Sequence, residues 1–471
     1  MCSSRCKKPV SVKAILCRQE VLESFRGRHK LQGMRTQILS SVTSSRKVES
    51  ASHFANDNAQ EKAWPFCPPC TWRSDQMPNE TSMTLQPPDL PDASRSLPFT
   101  RSRAVRAQMV VGVIGPGRVG KALLEQVRST APILSEHRRL DIRIVGIAAS
   151  RVMRIWDSNT GDVKTAPQQT TDLGTFAAHL RSQGESPVIV DCTASPELAN
   201  HYAAWLRQGI HVVTSNKHAG SGPLGRWRSI GEAAIASGSR YLHEATVCAG
   251  LPVVQTLKGL LSTGDDLISV HGIFSGTLAW IFHQTDARTP FSSLVREAYT
   301  LGYTEPDPRL DLSGLDVARK LVILAREAGW QISLQDVRIE SLVPTALASL
   351  SSEAFMRRAE EMDANIAALF ATAASHGNVL RHVGSLSRHD GASVQVTAVP
   401  ADHAFVNSRL SDNIVQFTTH RYRETPLQIQ GPGAGPSVTA GGVFGDILRI
   451  AEAVGASMDF QSLGQRPAQP A

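Results

Sequence analysis

Apolar residues in this chain fall in short runs, each closed by a glycine or a small polar residue. MVVGVIG (Met109–Gly115) has no polar position, which predicts a strand buried on both faces; Leu123, Leu124 and Val127 then repeat at helical spacing. Between strand and helix lie Gly115, Pro116, Gly117, Arg118, Val119 and Gly120, a G-x-G-x-x-G corner. Glycines there let the backbone turn tightly and approach a pyrophosphate, whose charge meets the helix N-terminus. A purely structural turn is the competing explanation. Three further apolar runs follow: IRIVGIAAS (Ile142–Ser150), SPVIVDCTAS (Ser186–Ser195) and GIHVVTSNK (Gly209–Lys217). Their ends carry Thr193, Asn216 and Lys217, at the strand edge where open α/β sheets bind ligands. A site preferring NAD usually has an acidic residue after the second strand, whereas Ser150 and Arg151 stand here. A hydroxyl and a guanidinium suit a 2′-phosphate, which favours NADP and leaves NAD possible. Arg151 is equally compatible with a solvated strand end.

Past Tyr241 the pattern changes. A glycine- and alanine-rich turn precedes a helix through Leu257, Leu260 and Leu261, and Ile268–Ile273 reads as a strand. Thr277 is expected to cap a helix over Leu278–His283, or to turn its hydroxyl to a ligand. Residues 331–376 read as mainly helical, and Val379–Phe405 as two antiparallel strands about a polar turn. Leu427–Gln430 runs into a second glycine corner (Gly431–Gly435) and an amphipathic helix, Val438–Val454, expected to return to the nucleotide-binding part.

The stretch LGYTEPDPRLDLSGLDVARK (Leu301–Lys320) concentrates charge. Pro306 and Pro308 bar a helix at its start. From Leu312 the spacing turns helical, with Leu315, Leu321, Val322 and Ile323 apolar and Asp311 or Ser313 as N-cap. Asp316 and Lys320 are then i and i+4 and share a face. Loop carboxylates at Glu305 and Asp311 beside that pair are suited to holding a zwitterion and moving a proton; an ordinary surface ion pair is the plainer reading.

Composition narrows the picture. The net charge of +7 belongs to the N-terminal segment: residues 1–107 hold seventeen Lys and Arg against nine Asp and Glu, and the remainder is close to neutral. The folded part thus gives no reason to expect nucleic acid, and no apolar run is long enough to suggest a membrane partner. Residues 1–107 are basic, Ser- and Pro-rich and without a long apolar run, the composition of a plastid transit peptide and disordered linker, unless the gene start is misplaced. Five of seven cysteines lie there, and Cys67-Pro-Pro-Cys70 is a CxxC without a second pair. Only Cys192 and Cys248 remain in the folded part, a reducing-compartment pattern rather than a disulfide framework.

The chain resembles homoserine dehydrogenases of the monofunctional, fungal type. The resemblance rests on the Gly115–Gly120 corner, SNK (Ser215–Lys217), HEATVCAGLP (His243–Pro252), GIFSGTLAWIF (Gly272–Phe282), Leu301–Lys320 and GPGAGPSVTAGGVFGD (Gly431–Asp446), in the family's order over about 350 residues. Neither a kinase domain upstream nor a regulatory domain downstream is expected from it. It implies an α/β protein in which a Rossmann-like dinucleotide-binding domain (108–247) joins an α+β catalytic and dimerisation domain with a mixed sheet (248–426). A C-terminal return (427–456) and a disordered tail (457–471) complete the chain.

The implied reaction is the NAD(P)-dependent interconversion of L-homoserine and L-aspartate 4-semialdehyde in threonine, methionine and isoleucine synthesis. Position by position, the resemblance puts cofactor on Gly115–Gly120, Thr193, Asn216, Lys217, Glu305 and Gly435. It puts substrate on Gly276, Thr277, Tyr303, Glu305, Asp311 and Asp316. Lys320 and Lys217 would be the proton-handling pair, with Lys320 favoured as the catalyst and Asp316 positioning it. Glu244, Val247, Ala249 and Leu251 would match a monovalent cation site, for Na⁺ or K⁺. A homodimer is implied, with Ile268–Ile273 and Val379–Phe405 as candidate interface strands. Cys248 stands where the family has glycine and tests whether that turn needs a positive φ. An aspartate-semialdehyde dehydrogenase would need a nucleophilic thiolate, for which neither cysteine has the setting. A catalytically silent nucleotide sensor and a dehydrogenase of lysine metabolism are the remaining rivals.

Overall fold

Six consecutive buried residues, Met109–Ile114, leave β1 (Ala107–Ile114) no solvent face, so it must lie inside a covered sheet. The computed structural model describes residues 107–455, apart from 158–160, 162, 287 and 410. The proposed transit segment, the Cys67–Cys70 pair and the proposed tail from 457 lie outside the described residues. After β1 come α1 (Arg118–His137), β2 (Leu140–Ala148), β3 (Val152–Ile155), β4 (Gln169–Thr170) and α2 (Leu173–Gln183). Then follow β5 (Pro187–Asp191), α3 (Tyr202–Arg207), β6 (His211–Thr214), α4 (Lys217–Ser221), α5 (Leu224–Ser237) and β7 (Tyr241–Leu242). The strands form one sheet in the order β4-β3-β2-β1-β5-β6-β7, in which β2, β1, β5, β6 and β7 run parallel. Chain order reverses at β1, and the crevice between β1 and β5 is a switch point of the kind that binds dinucleotides.

The second lobe starts with α6 (Val253–Ser262), β8 (Leu267–Ile273), α7 (Gly276–Gln284), α8 (Phe291–Thr300), α9 (Arg309–Leu312) and α10 (Leu315–Glu327). It continues through β9 (Val337–Ile339), α11 (Asp363–Ser375), β10 (Asn378–Ser387), β11 (Gly391–Pro400), β12 (Asp412–Thr419), β13 (Leu427–Pro432) and α12 (Pro436–Ala453). The sheet order is β13-β12-β8-β10-β11-β9, antiparallel except where β9 runs parallel to β11. Nearly all of α10 is buried: Val317, Ala318, Leu321, Val322 and Leu324 pack with Val270, Phe274, Leu386, Val394, Val415 and Phe417 of the sheet. Glycines make this close approach possible. A Cβ on Gly384 would meet Phe274 and Val317 at 2.9 Å, and one on Gly272 would meet the Ile414 carbonyl at 2.3 Å.

Several expectations need correction. The strand at Leu427 does not begin the return to the nucleotide lobe, because β13 pairs with β12 along its whole length. Only α12 returns, with Ala440, Val443, Ile447 and Ile450 packing beside Leu123 and Val127 of α1. The helical reading of 331–376 missed β9, and β12 was not anticipated at all. Ile268–Ile273 lies within β8, an interior strand of the second sheet, so only a sheet face and not an edge of this strand is open to a partner. No helix of the described residues is long and apolar enough to cross a membrane.

Candidate active site

Backbone register aligns the nucleotide edge. Ala148 of β2, Ile114 of β1, Asp191 of β5 and Thr214 of β6 are successive cross-strand partners, so the loops after them open on one edge. Gly115 has φ +89° and a Cβ there would strike Thr193 at 2.6 Å; one on Gly120 would lie 2.3 Å from the Gly115 carbonyl. Only glycine fits either place. Gly117 begins α1 without a side-chain cap and with open space around it, so first-turn N–H groups are left for a ligand. Arg118, Ser150 and Arg151 are exposed beside this corner. Gly435 (φ +111°) starts α12 uncapped, and Gln126 of α1 donates to Ser437 O at 2.8 Å, holding the second glycine corner against the first helix. This cradle fits a dinucleotide pyrophosphate.

A buried network fixes the ends of β5 and β6. Asp191 accepts from Thr193 N (2.7 Å), Asn216 Nδ2 (3.0 Å) and the Tyr202 hydroxyl (2.5 Å). Asn216 also donates to Ser195 O and accepts from His218 N as the N-cap of α4. Its amide is committed inside the protein, so Asn216 acts by placing Lys217 as the first residue of α4 rather than in a loop. Burial holds the Asp191 carboxyl above its ordinary range despite these donors.

Lys217 and Lys320 meet on one carboxylate. Asp316 Oδ1 is 3.2 Å from Lys217 Nζ and Oδ2 is 3.0 Å from Lys320 Nζ. Helix α4, from the nucleotide lobe, lies against α10 of the other lobe: Arg326 donates to Gly220 O at 2.7 Å, and a Cβ on Gly220 would meet Ile323 at 2.8 Å. Arg319, without an assigned role from sequence, lies 3.2 Å from His218 Nδ1 and 3.4 Å from Ser221 Oγ, joining the same helices. The lysine–carboxylate–lysine bridge thus spans the two lobes. Asp316 keeps 49% of its side-chain surface open while Lys320 keeps 8%. Burial would raise the Asp316 carboxyl, but the two ammonium groups outweigh it and hold it far below the usual range. Burial opposes the charge on Lys320, yet Asp316 holds its pKa above normal.

The turn to α10 differs from expectation. Pro306 and Pro308 do keep their loop non-helical, but Arg309–Leu312 then makes a one-turn helix and Gly314 (φ +72°), not Asp311 or Ser313, is the N-cap of α10. Leu315 is 37% exposed rather than part of the core. Asp311 instead accepts from Glu305 N at 2.8 Å and faces Thr277 Oγ1 at 3.0 Å. Ser275, not Thr277, caps α7, whose first residue is Gly276. The Thr277 hydroxyl lies 2.6 Å from the Tyr303 carbonyl, and Trp280 packs against the Tyr303 ring at 5.5 Å. Burial pushes the Asp311 carboxyl up to about 6. Glu305 and Tyr303 are exposed on this loop.

Sequence reasoning missed two neighbours of Lys320. Its ammonium donates to Phe274 O at 2.6 Å, and Asn413 Nδ2 donates to the same carbonyl at 2.9 Å and to Cys248 Sγ at 3.2 Å. Asn413 lies in the unanticipated β12, so no local pattern pointed to it.

The turn after β7 does demand the left-handed region: Cys248 has φ +59° and Ala249 +55°. The Glu244 carboxylate accepts from Val254 N (2.8 Å) and Gln255 N (2.9 Å), and Leu251 O accepts from Val253 N. Together with the Val247 and Ala249 carbonyls these are oxygen donors only, which fits a hard cation. Among the described residues no cluster of three His, Cys, Asp or Glu side chains could hold a metal. Both thiols are disfavoured as nucleophiles, since burial raises Cys248 and pushes Cys192 to about 12.

Two family models cover the described lobes: "Homoserine dehydrogenase, NAD binding domain" matches residues 115–244 and "Homoserine dehydrogenase" matches 252–448. A homoserine dehydrogenase of Emericella nidulans is 40% identical over 364 residues, covering 74% of this chain and 99% of the relative. A chloroplastic bifunctional aspartokinase/homoserine dehydrogenase of Zea mays is 46% identical over 378 residues, 78% of this chain but 41% of the relative. The chain thus spans about two-fifths of the length of the plant bifunctional relatives it matches. A solved Candida auris protein described as of unknown function superposes with a TM-score of 0.68 at 34% identity, covering 74% of this chain and 99% of that one. Fold, site and relatives agree, and the chain belongs to the homoserine dehydrogenase family.

Proposed function

We propose that this chain interconverts L-aspartate 4-semialdehyde and L-homoserine with NADP(H), within threonine, methionine and isoleucine synthesis. The observation that carries this reading is the single carboxylate, Asp316, gripping Lys217 and Lys320 at the mouth of a dinucleotide crevice. Gly115–Gly120, Thr193, Lys217, Glu305 and Gly435 would hold the cofactor, with Ser150 and Arg151 toward a 2′-phosphate. When bound, the nicotinamide supplies or accepts the hydride. In the reducing direction Lys320 donates a proton to the aldehyde oxygen as negative charge develops there; in the oxidising direction its neutral amine removes the hydroxyl proton. Asp316 holds the ammonium in place, and Lys217 supports the charge of Asp316 from the nucleotide lobe. Asp311, with Glu305, Gly276, Thr277 and Tyr303, receives the amino-acid end of the substrate. An ammonium brought to Asp311 would offset the burial that disfavours its charge. Glu244, Val247, Ala249 and Leu251 would hold Na⁺ or K⁺, which would neutralise Glu244 and brace the turn carrying Cys248.

The quaternary part of this reading is a homodimer formed through the sheet face opposite α10. His271 lies 3.1 Å from Ser385 Oγ on that face, and Gln416 donates to Gln428 at 2.9 Å beside them. Polar, half-buried strands of this kind suit a partner sheet. The chloroplastic plant relatives support plastid import of residues 1–107; a fluorescent fusion of that segment staying in the cytosol overturns it. The central test is NADPH oxidation with aspartate semialdehyde against other aldehydes, including those of lysine metabolism. Selective turnover of aspartate semialdehyde is expected. Preference for another aldehyde, or NADPH binding without turnover, contradicts the reading.

A further inference from the structure

We infer that Asn413 is a positioning residue for proton transfer, acting through the Phe274 carbonyl to aim the third valence of Lys320 at the substrate. This rests on the proposed reaction. An ammonium has three N–H groups, and Lys320 directs two of them inside the protein, to Asp316 Oδ2 (3.0 Å) and Phe274 O (2.6 Å). Once neutral, the amine keeps two N–H groups, and holding the same two acceptors leaves its lone pair where the third N–H had been. The position that donates in reduction is therefore the position that accepts in oxidation, provided the Phe274 carbonyl stays fixed.

Asn413 fixes it. The side chain is fully buried in β12, and its Nδ2 donates to Phe274 O at 2.9 Å and to Cys248 Sγ at 3.2 Å. Its Oδ1 is buried without a hydrogen-bond partner among the described residues. Turning the amide over would set that oxygen against the Phe274 carbonyl, two acceptors facing each other, so the unpaired orientation is the one retained. Gly433 confines the amide from above, because a Cβ there would lie 2.2 Å from Asn413 Cγ and Nδ2. The second glycine corner thus closes directly over the residue that supports Lys320. The charged and titratable groups acting on Lys320 are Asp316 on its own helix, Asp311 from α9 and the Cys248 thiol from the turn after β7, with Lys217 on the far side of Asp316.

Two hydrogen-bond donors share that carbonyl. Removing one leaves it a stronger acceptor for the other, so losing Asn413 stabilises the ammonium of Lys320 and delays its deprotonation. The experiment compares the full-length enzyme with Asn413→Ala and the isosteric Asn413→Asp, following kcat and KM for homoserine oxidation against pH. Dissociation of NADPH and the melting temperature are measured on the same samples. In Asn413→Ala the rise of kcat with pH is expected to move up by about half a unit, slowing oxidation at neutral pH roughly threefold or more. KM for homoserine and NADPH affinity should each stay within about twofold, since neither ligand is held by Asn413. Asn413→Asp should move the same limb further in the same direction, because its carboxylate adds negative charge near Lys320. An unmoved limb with unchanged kcat overturns the inference, as does a loss of kcat without any displacement of the limb. NMR titration of ε-¹³C-lysine, with the Lys320 signal assigned by its loss in Lys320→Ala, reads the same displacement without turnover. An enzyme inactive on aspartate semialdehyde would defeat the proposed reaction, while the NMR displacement would still decide the role of Asn413.

Discussion

Asp311 and Asp316 are five positions apart in one charged stretch, yet the protein drives their carboxyls in opposite directions. Asp311 stands at the end of a one-turn helix, with a backbone N–H and a hydroxyl as neighbours, and burial raises it to about 6. Asp316 stands in the first turn of α10 between two ammonium groups and is held far below the usual range. Composition alone does not separate two aspartates in one short stretch; the partners each receives from other elements do. Asp316 is the anion that joins Lys217 and Lys320, and in the proposed mechanism it organises the lysines that handle the proton. Asp311 is a carboxyl with no cation beside it among the described residues to offset its burial, a charge that a substrate ammonium would supply in the proposed reaction. Titratable groups pushed apart in this way mark a division of chemical labour.

The sharpest way to break the comparison is Asp316→Asn. Without the carboxylate, burial dominates Lys320 and its pKa falls, so reduction loses its proton donor by roughly 10²–10³-fold while the limb for homoserine oxidation moves to lower pH. Rate-versus-pH curves in both directions check this; a limb moving upward contradicts it. Asp311→Asn should act on binding: KM for the amino-acid substrate rises roughly tenfold or more, and the fall of kcat/KM below about pH 6 disappears. Asn can reproduce both local contacts, its oxygen accepting from Glu305 N and its Nδ2 donating to Thr277.

Stability should separate the pair as well. The lowered Asp316 carboxyl stabilises the fold above the ordinary carboxylate range, and that contribution is lost as pH falls through the range. The raised Asp311 carboxyl does the reverse, stability declining as pH rises from about 4 to about 6. At pH 8, therefore, Asp316→Asn should lower the melting temperature and Asp311→Asn should raise it. Shifts of the same sign would break the comparison. The smallest effect belongs to Cys248→Gly, in which relief of a positive φ of +59° is offset by loss of a buried side chain that accepts from Asn413, so stability should change by about 1 kcal/mol or less, read by denaturant unfolding.

Much of the nucleotide lobe could be read from local pattern because β1, β2, β5 and β6 are mostly apolar runs and the Gly115–Gly120 corner is contiguous in sequence. The pairing of Asp316 with Lys320 was legible for the same reason, since it follows from helical spacing. What escaped depends on distant partners. β12 pairs with β8 across more than a hundred residues, and with β12 went Asn413. Asp311 resembled an N-cap until Glu305 N and Thr277 claimed its oxygens, and the left-handed Gly314 took the capping position instead. Asn216 was legible as a strand-end residue, but the engagement of its amide by Asp191, beyond an intervening helix, was not. In each case residue type showed which bonds were possible, and tertiary register chose among them.

In the proposed mechanism Lys320 is the group that moves the proton. The direct measurement is the rate of hydride transfer in Lys320→Ala under single-turnover conditions with aspartate semialdehyde, alongside NADPH affinity by fluorescence. The rate should fall by roughly 10²–10⁴-fold with NADPH affinity nearly unchanged. A variant that transfers hydride at the parent rate would contradict it.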